Sequence, residues 1–251
     1  MYALITGASS GIGRDMARLL AKKGYGIILV ARNKEALKEL SAELETKTII
    51  IPMDLSKRKN CFKLYHMLKD KPIDVLINNA GFGGFGEFYK TDIFKELDMI
   101  NVNICAVHIL TKLFLRKMLK ENRGYILNVA SLAAFTAGPL MSTYYATKSY
   151  VFRLTAAINE EIRRSGRKVR ISAFCPGPVD TDFNNRAGVS FSIKPIDSKY
   201  AAYKAVKGMF NGELIIFPRL ADRLTATAAA IAPVKVADAV CWHIQKGKSK
   251  N

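Results

Sequence analysis

A phenol and an ammonium stand within one short run of this chain, placed to handle a proton. Tyr144 and Lys148 form Tyr-x-x-x-Lys in a stretch that reads as helix, so both side chains leave one helix face. A phenol titrates near ~10 in water, too high for acid–base work at neutral pH. An ammonium beside it favours the phenolate and lowers that value. A tyrosine tuned this way passes a proton to or from an alcohol or carbonyl oxygen. Ser131 stands upstream, after the apolar run Tyr125 to Ala130, which predicts a buried strand. Strand C-termini in open parallel sheets are where ligands bind. The pair alone is a pattern common on solvated helices, and its meaning comes from what surrounds it.

A second set of residues suits an anion. Tyr2 to Thr6 is apolar and strand-like, and it runs directly into TGASSGIG, Thr6 to Gly13. An amphipathic helix follows, with Ile12, Met16, Leu19 and Leu20 on one face and Gly24 as its stop. Gly7, Gly11 and Gly13 let the backbone turn sharply and approach a diphosphate, and the helix N-terminus offers unpaired N–H groups to it. The spacing is Thr-Gly-x-x-x-Gly-x-Gly rather than G-x-G-x-x-G. A second strand, Gly26 to Ala31, ends at Arg32 with no Asp or Glu beside it. In dinucleotide-binding folds an acid there holds a ribose hydroxyl, whereas an arginine accommodates a 2′-phosphate.

The elements that must position these residues alternate. Helix is expected over Asn33 to Glu45, strand over Thr46 to Met53 closing at Asp54 and Leu55, and helix over Ser56 to Asp70 with Ser56 as N-cap. Strand Ile73 to Ile77 leads into Asn78-Asn79-Ala80-Gly81 and a Gly/Phe-rich segment, Phe82 to Phe88. Thr91 to Lys120 reads as one long helix with an optional break. Ser142 to Arg164 is the helix of Tyr144 and Lys148. Val169 to Phe174 is a sixth strand, ending in Pro176-Gly177-Pro178-Val179-Asp180-Thr181. Asp182 to Asp197 lacks periodicity and reads as a mobile flap. Helix Ser198 to Asn211, strand Leu214 to Phe217 and one or two helices around Pro233 complete the chain. Such alternation implies an α/β fold with a parallel sheet.

Composition narrows the function classes. The chain has 251 residues, 49% of them hydrophobic, enough for one sizeable core. Cys61, Cys105, Cys175 and Cys241 are scattered without metal-type spacing, and so are the three histidines, so no metal site is expected. The absence of a disulfide pattern fits a reducing, cytoplasmic setting. The chain enters a strand at Tyr2, so no signal peptide is expected. Leu224 to Trp242 is broken by Pro233, Lys235 and Asp238 and does not read as a membrane span. The formal net charge of +18 suits a solvated lysine-rich surface, an anionic cofactor, an acidic partner, or a membrane or nucleic-acid surface. A nucleic-acid role lacks an arginine-rich tail or an aromatic-interleaved basic run; only the KGKSK end is locally basic.

Taken together, TGASSGIG, MDLS around Asp54, NNAG at Asn78 to Gly81, Asn103, Ser131, YYATK at Tyr144 to Lys148 and PGPVDT at Pro176 to Thr181 resemble the short-chain dehydrogenase/reductase family over nearly the whole chain. The resemblance implies a single Rossmann domain over residues 1–251 with a doubly wound seven-stranded parallel sheet. Residues 182–212 would be the substrate flap and following helix, and 213–251 the C-terminal strand and helices. It implies a nicotinamide cofactor and hydride transfer between a carbonyl and an alcohol. By position, Tyr144 would be the acid–base residue, and Lys148 would hold the nicotinamide ribose and tune the phenol. Ser131 would hydrogen-bond the substrate oxygen. Asn103 would support a water connecting Lys148 to solvent, with Asn101 as the nearby alternative. Cofactor contacts are implied for Gly7, Ser9, Ser10, Gly11, Ile12, Gly13, Asp54, Leu55, Asn79, Ala80, Gly81, Pro176, Gly177, Val179 and Thr181. Arg32 resembles the arginine of NADP-preferring members.

The expected activity is NADPH-dependent reduction of a ketone, aldehyde or 3-oxoacyl carbonyl, or the reverse, with an acyl group on an acidic carrier as one substrate class. A dinucleotide-sensing regulator on the same fold is the alternative, and it would be expected to have lost Tyr144 or Lys148. The helices over 102–119 and 142–164 carry more apolar residues than one face holds, and Phe152 lies in the surplus stripe. A homodimer or homotetramer pairing these helices is expected, the alternative being that the Gly/Phe-rich loop or the C-terminal helices cover them.

Overall fold

A computed structural model describes residues 1–183 and 194–247. Most of the expected flap, with Gly188, and the KGKSK end from residue 248 onward lie outside the described residues. Seven parallel strands form one sheet: β1 (Tyr2–Thr6), β2 (Gly26–Ala31), β3 (Thr48–Pro52), β4 (Ile73–Asn78), β5 (Tyr125–Val129), β6 (Arg170–Phe174) and the last strand, Ile215–Ile216. Their spatial order is β3-β2-β1-β4-β5-β6 followed by that last strand. The order reverses between β1 and β4, so their C-terminal ends splay into the crevice where open α/β sheets bind ligands. A separate two-stranded parallel pair, β7 (Val179–Asp180) and β8 (Ile196–Asp197), ties together the ends of the segment between them; the last sheet strand is therefore β9. Nothing in the sequence pattern signalled this pair.

The sheet is apolar on both faces, as strands covered by helices on each side must be. On one face Met16, Ala17 and Leu20 of α1 (Gly11–Lys22) and Leu37 and Leu40 of α2 (Lys34–Glu43) pack with Ala201, Ala205 and Met209 of α7 (Ser198–Asn211). On the other, Cys61 and Leu64 of α3 (Arg58–Leu68) meet Leu110, Phe114 and Met118 of α5 (Val107–Glu121). The C-terminal helices are α8 (Leu220–Ile231) and α9 (Val234–Lys246), two rather than one, divided at Pro233.

Two local expectations need correction, and one open expectation is decided. Ser56 does not cap α3, which opens at Arg58 with Lys57 at the cap position. The Asp54 carboxylate takes the Ser56 N–H (3.0 Å), so the chain makes an extra turn before the helix begins. The long helix carries the break that the sequence left optional: α4 (Ile93–Ile100), capped by Asp92, passes into a π-helical turn, Asn101–Ala106, before α5. Such turns re-aim a residue and often mark functional sites; here Asn103 is turned inward and buried. Phe152 is a core residue and not part of an exposed stripe. On α6 (Ser142–Arg164) it packs against Phe135 of the 3-10 turn Leu132–Phe135, ring centroids 4.7 Å apart. The largest exposed apolar side chains lie on the approach to α4 and its start, such as Phe88 and Phe94, and on α8–α9, such as Ile231 and Val234. By length and apolarity the helical run Ile93–Glu121 could cross a bilayer, but Leu110, Phe114 and Met118 hold it against the sheet.

Candidate active site

A cleft of about 980 Å³ runs along the C-terminal edge of the sheet. The turn after β1 forms one end. Gly7 and Gly11 there have φ of 67° and 53°, the left-handed region that favours glycine. A Cβ on Gly7 would stand 2.8 Å from Ala80 Cα, and one on Gly13 would stand 2.4 Å from the Gly7 carbonyl oxygen. Gly13 therefore lets α1 pack on the turn; it is buried behind the cleft wall and does not line it. Thr6 locks the turn to the loop after β4. Its hydroxyl accepts the Asn79 and Ala80 N–H groups (3.0 and 3.1 Å), and Asn79 Nδ2 donates to the Thr6 and Gly7 carbonyls (both 3.0 Å). Ser10, at the N-cap of α1, makes no side-chain cap, and the first turn carries no acid. Its leading N–H groups and positive dipole end thus face the cleft without a side-chain anion, which fits a diphosphate.

Ser9, Ser10, Gly11 and Ile12 line this end, as do Asp54 and Leu55 after β3, Asn79 to Gly81 after β4, and Pro176, Gly177, Val179 and Thr181 after β6. Arg32 lines it too, exposed, directly after β2 and beside Asn33, whose side chain caps α2. Among the described residues Arg32 has no carboxylate partner within ion-pair distance.

At mid-cleft the structure brings Ser131, Tyr144 and Lys148 together. Lys148 Nζ donates to the Val129 carbonyl (2.8 Å) and lies 5.8 Å from the centre of the Tyr144 ring. The Ser131 hydroxyl accepts the Ala133 N–H (3.1 Å) and reaches the Pro176 carbonyl (3.5 Å), and it stands near enough to the Tyr144 phenol to favour its ionised form. The electrostatics of the chain's own groups run opposite to the sequence expectation. Burial pushes the Tyr144 phenol up to about 12, against the pull of Ser131, and burial pushes Lys148 down to about 8. Both groups are out of water, so each favours its neutral form. The lysine is aimed at the β5 carbonyl rather than at the phenolic oxygen.

Asn103 also stands behind the wall. Its side chain holds Phe82 at both backbone groups, accepting from N–H (3.1 Å) and donating to C=O (2.9 Å), and donates to Thr147 of α6 (3.0 Å). It fastens the loop after β4 to the helix of Tyr144. Asn101 instead accepts from Arg58 at the surface (3.1 Å).

Two features escaped the sequence reading. A buried polar chain, Thr111–Asn78–Asn128–Thr155, crosses beneath the site and joins α5, β4, β5 and α6. Asn128 inside an apolar strand was its one visible signal. The far end of the cleft is walled by α8 and α9 through Ala228, Ala229, Ala232, Val236, Val240 and Ile244. These residues carry no motif.

The family model described as short chain dehydrogenase matches residues 1–189. An uncharacterized oxidoreductase of Staphylococcus epidermidis is 32% identical over 181 residues, 71% of this chain and 78% of that protein. The ketoacyl reductase HetN of Nostoc sp. is 31% identical over 245 residues, 92% of this chain and 84% of that protein. A solved short-chain dehydrogenase from Sphingobium yanoikuyae, in complex with NADPH, superposes with a TM-score of 0.83 at 30% identity, covering 91% of this chain and 92% of that one. A Burkholderia phymatum protein in complex with NAD shares the fold, with a TM-score of 0.82 at 24% identity, covering 90% of this chain and 91% of that one.

Proposed function

The chain belongs to the short chain dehydrogenase family, and on that premise we propose that it reduces a ketone, aldehyde or 3-oxoacyl carbonyl to the alcohol with NADPH, or runs the reverse. The observation that carries this reading is the meeting of Ser131, Tyr144 and Lys148 in a cleft whose other end is a glycine turn flanked by Arg32. When bound, the nicotinamide supplies or accepts the hydride. The protein's part is the proton and the positioning. Tyr144, neutral by burial, donates its phenolic proton to the carbonyl oxygen as charge builds there. Ser131 hydrogen-bonds the same oxygen and shares that charge. Lys148 holds the ribose side of the cofactor and, once charged, favours the phenolate left on Tyr144. Asn103 keeps the Phe82 loop and α6 in register around them.

The preference for NADPH over NADH rests on Arg32, whose guanidinium can bond a 2′-phosphate bidentately, and on the absence of an acid at the end of β2. The NADPH complex of the Sphingobium protein favours it, and the ketoacyl reductase relative favours a 3-oxoacyl substrate. The same reading takes the protein as a homodimer or homotetramer through 102–119 and 142–164. Half-buried Ile109, Leu113 and Leu115 and the His108–Tyr150 hydrogen bond (2.7 Å) lie on those helices. Light scattering at micromolar concentration is expected to give at least a dimer, and a clean monomer would refute that assembly. The activity is tested with a panel of ketones, aldehydes, 3-oxoacyl thioesters and alcohols, read by nicotinamide absorbance with both cofactors. Turnover with NADPH is expected; no turnover of any carbonyl or alcohol would overturn the reading.

A further inference from the structure

Helix α9 is a thin wall with one seat. Of its 13 residues only Cys241 and Gln245 are buried. Both meet the same atom, the phenolic oxygen of Tyr145. Gln245 Nε2 donates to it, and Cys241 Sγ approaches to 3.9 Å. Among the described residues these are the hydrogen bonds that tie α9 side chains to another element. Gln245 is fully buried and its Oε1 has no partner, so the amide is held where leaving it unpaired is costly.

Tyr145 is itself fixed. It follows Tyr144 on α6, and the two rings meet edge-on at 75° with centroids 6.1 Å apart. Its ring lies on Gly138, where a Cβ would come within 2.2 Å of it. Burial holds its phenol well above the ordinary range, against the pull of the Gln245 amide, so it stays neutral. Tyr145 and Cys241 both line the cleft, and the α9 side chains beside them, Val236, Val240 and Ile244, are apolar and about half exposed.

We propose that Tyr145 and Gln245 form a latch that sets the distance between the Tyr144 phenol and the apolar wall of α9, and so determine selectivity for carbonyl compounds with a long uncharged apolar arm. This rests on the function proposed above. The pair are positioning residues: they act on substrate fit through the wall and leave the proton step to Tyr144.

The test compares Tyr145→Phe, Gln245→Leu and the double variant with wild type. Tyr145→Phe keeps the ring on Gly138 and loses only the hydroxyl. With NADPH, the KM for a long-chain methyl ketone is expected to rise about fivefold in each single variant, the worth of one lost neutral hydrogen bond. The double variant should lose no more than either single, and kcat for a small ketone such as cyclohexanone should hold. A purely structural role would lower kcat for both ketones and add across the two sites. The second readout needs no turnover. Trp242, the only tryptophan in the chain, lies on α9 beside Cys241, and acrylamide quenching of its fluorescence should increase in all three variants. Unchanged quenching in both single variants overturns the latch, and so does a KM that rises equally for both ketones. Wild-type inactivity on every carbonyl would overturn the functional reading, and the fluorescence arm would still decide the latch.

Discussion

The two ends of the cleft are built by opposite means. At the β1–α1 end the backbone makes the surface. Positive φ at Gly7 and Gly11, a Gly13 with no room for a Cβ, and four hydrogen bonds between Thr6–Gly7 and Asn79–Ala80 fix each position to one or a few residue types. At the α8–α9 end side chains make a surface. Ala228, Ala229, Val236 and Val240 need only be uncharged and of suitable size. A site that recognises a constant ligand part by backbone geometry tolerates little change, whereas a wall for a variable apolar part tolerates much. Tyr144 lies where the two meet.

The substitution with the largest expected effect acts at that junction. Tyr144→Phe keeps the ring and removes the proton, so kcat should fall by about 10²–10⁴-fold while NADPH affinity stays near wild type. Lys148→Ala should damage both, since the proposed mechanism has it serve ribose and phenol together. Stopped-flow turnover and cofactor fluorescence titration separate the two, and near-normal turnover of Tyr144→Phe would move the proton chemistry to another group. Next, Arg32→Ala should weaken NADPH binding about tenfold or more, the loss of a charge-assisted pair to phosphate, with NADH unaffected. Equal losses for both cofactors would remove Arg32 from 2′-phosphate recognition.

The contrast between the ends is sharpened by matched small changes. Gly13→Ala forces a methyl against the Gly7 carbonyl and Asn79, an overpacking cost of about 1–3 kcal/mol, or a melting-temperature drop of about 2–12 °C for a chain of this size. Ala229→Val on the half-open wall should shift it by no more than about 2 °C. If the two behave alike under thermal denaturation, the rigid-end, tolerant-end contrast fails.

A further comparison is in pH dependence. Lys148 titrates near 8 in the folded protein against a usual 10.5. The unfolded chain therefore binds the extra proton between those values, and stability rises with pH across that window. Tyr144 is raised from 10 to about 12. The folded state then keeps a proton the unfolded chain releases, and stability falls with pH from 10 to 12. Urea midpoints against pH should lose the rising component in Lys148→Met and the falling one in Tyr144→Phe. A wild-type profile superimposable on both variants would show that neither group is perturbed.

The segments around Thr6–Gly13, Asn78–Gly81 and Pro176–Thr181 were legible because each holds glycine, proline or asparagine where backbone shape demands it. The seven-stranded parallel sheet was legible because continuous apolar runs alternate with amphipathic helices. The π-helical turn at Asn101–Ala106 was not, since the run from Val102 to Leu119 is apolar on more than one face and a shift of helix phase within it leaves no mark in the pattern. The cap of α3 was misplaced because Ser56 is a common cap residue while the competing Asp54 bond depends on local geometry.

By itself, then, the sequence determined the fold class, the order of the strands along the chain and the positions of the chemistry-bearing residues, because these depend on local backbone preference and apolar period. Tertiary structure alone decided which way the side chains acted. It placed Phe152 in the core rather than on an interface, and it turned Asn103 into a fastener between the Phe82 loop and α6. It set Tyr144 and Lys148 in a site where desolvation dominates both and favours the neutral form of each. It brought Gln245 onto Tyr145 from a hundred residues away along the chain. Burial, long-range contact and the balance between desolvation and Coulomb attraction depend on what the folded chain puts around a residue, and spacing along the chain does not encode them.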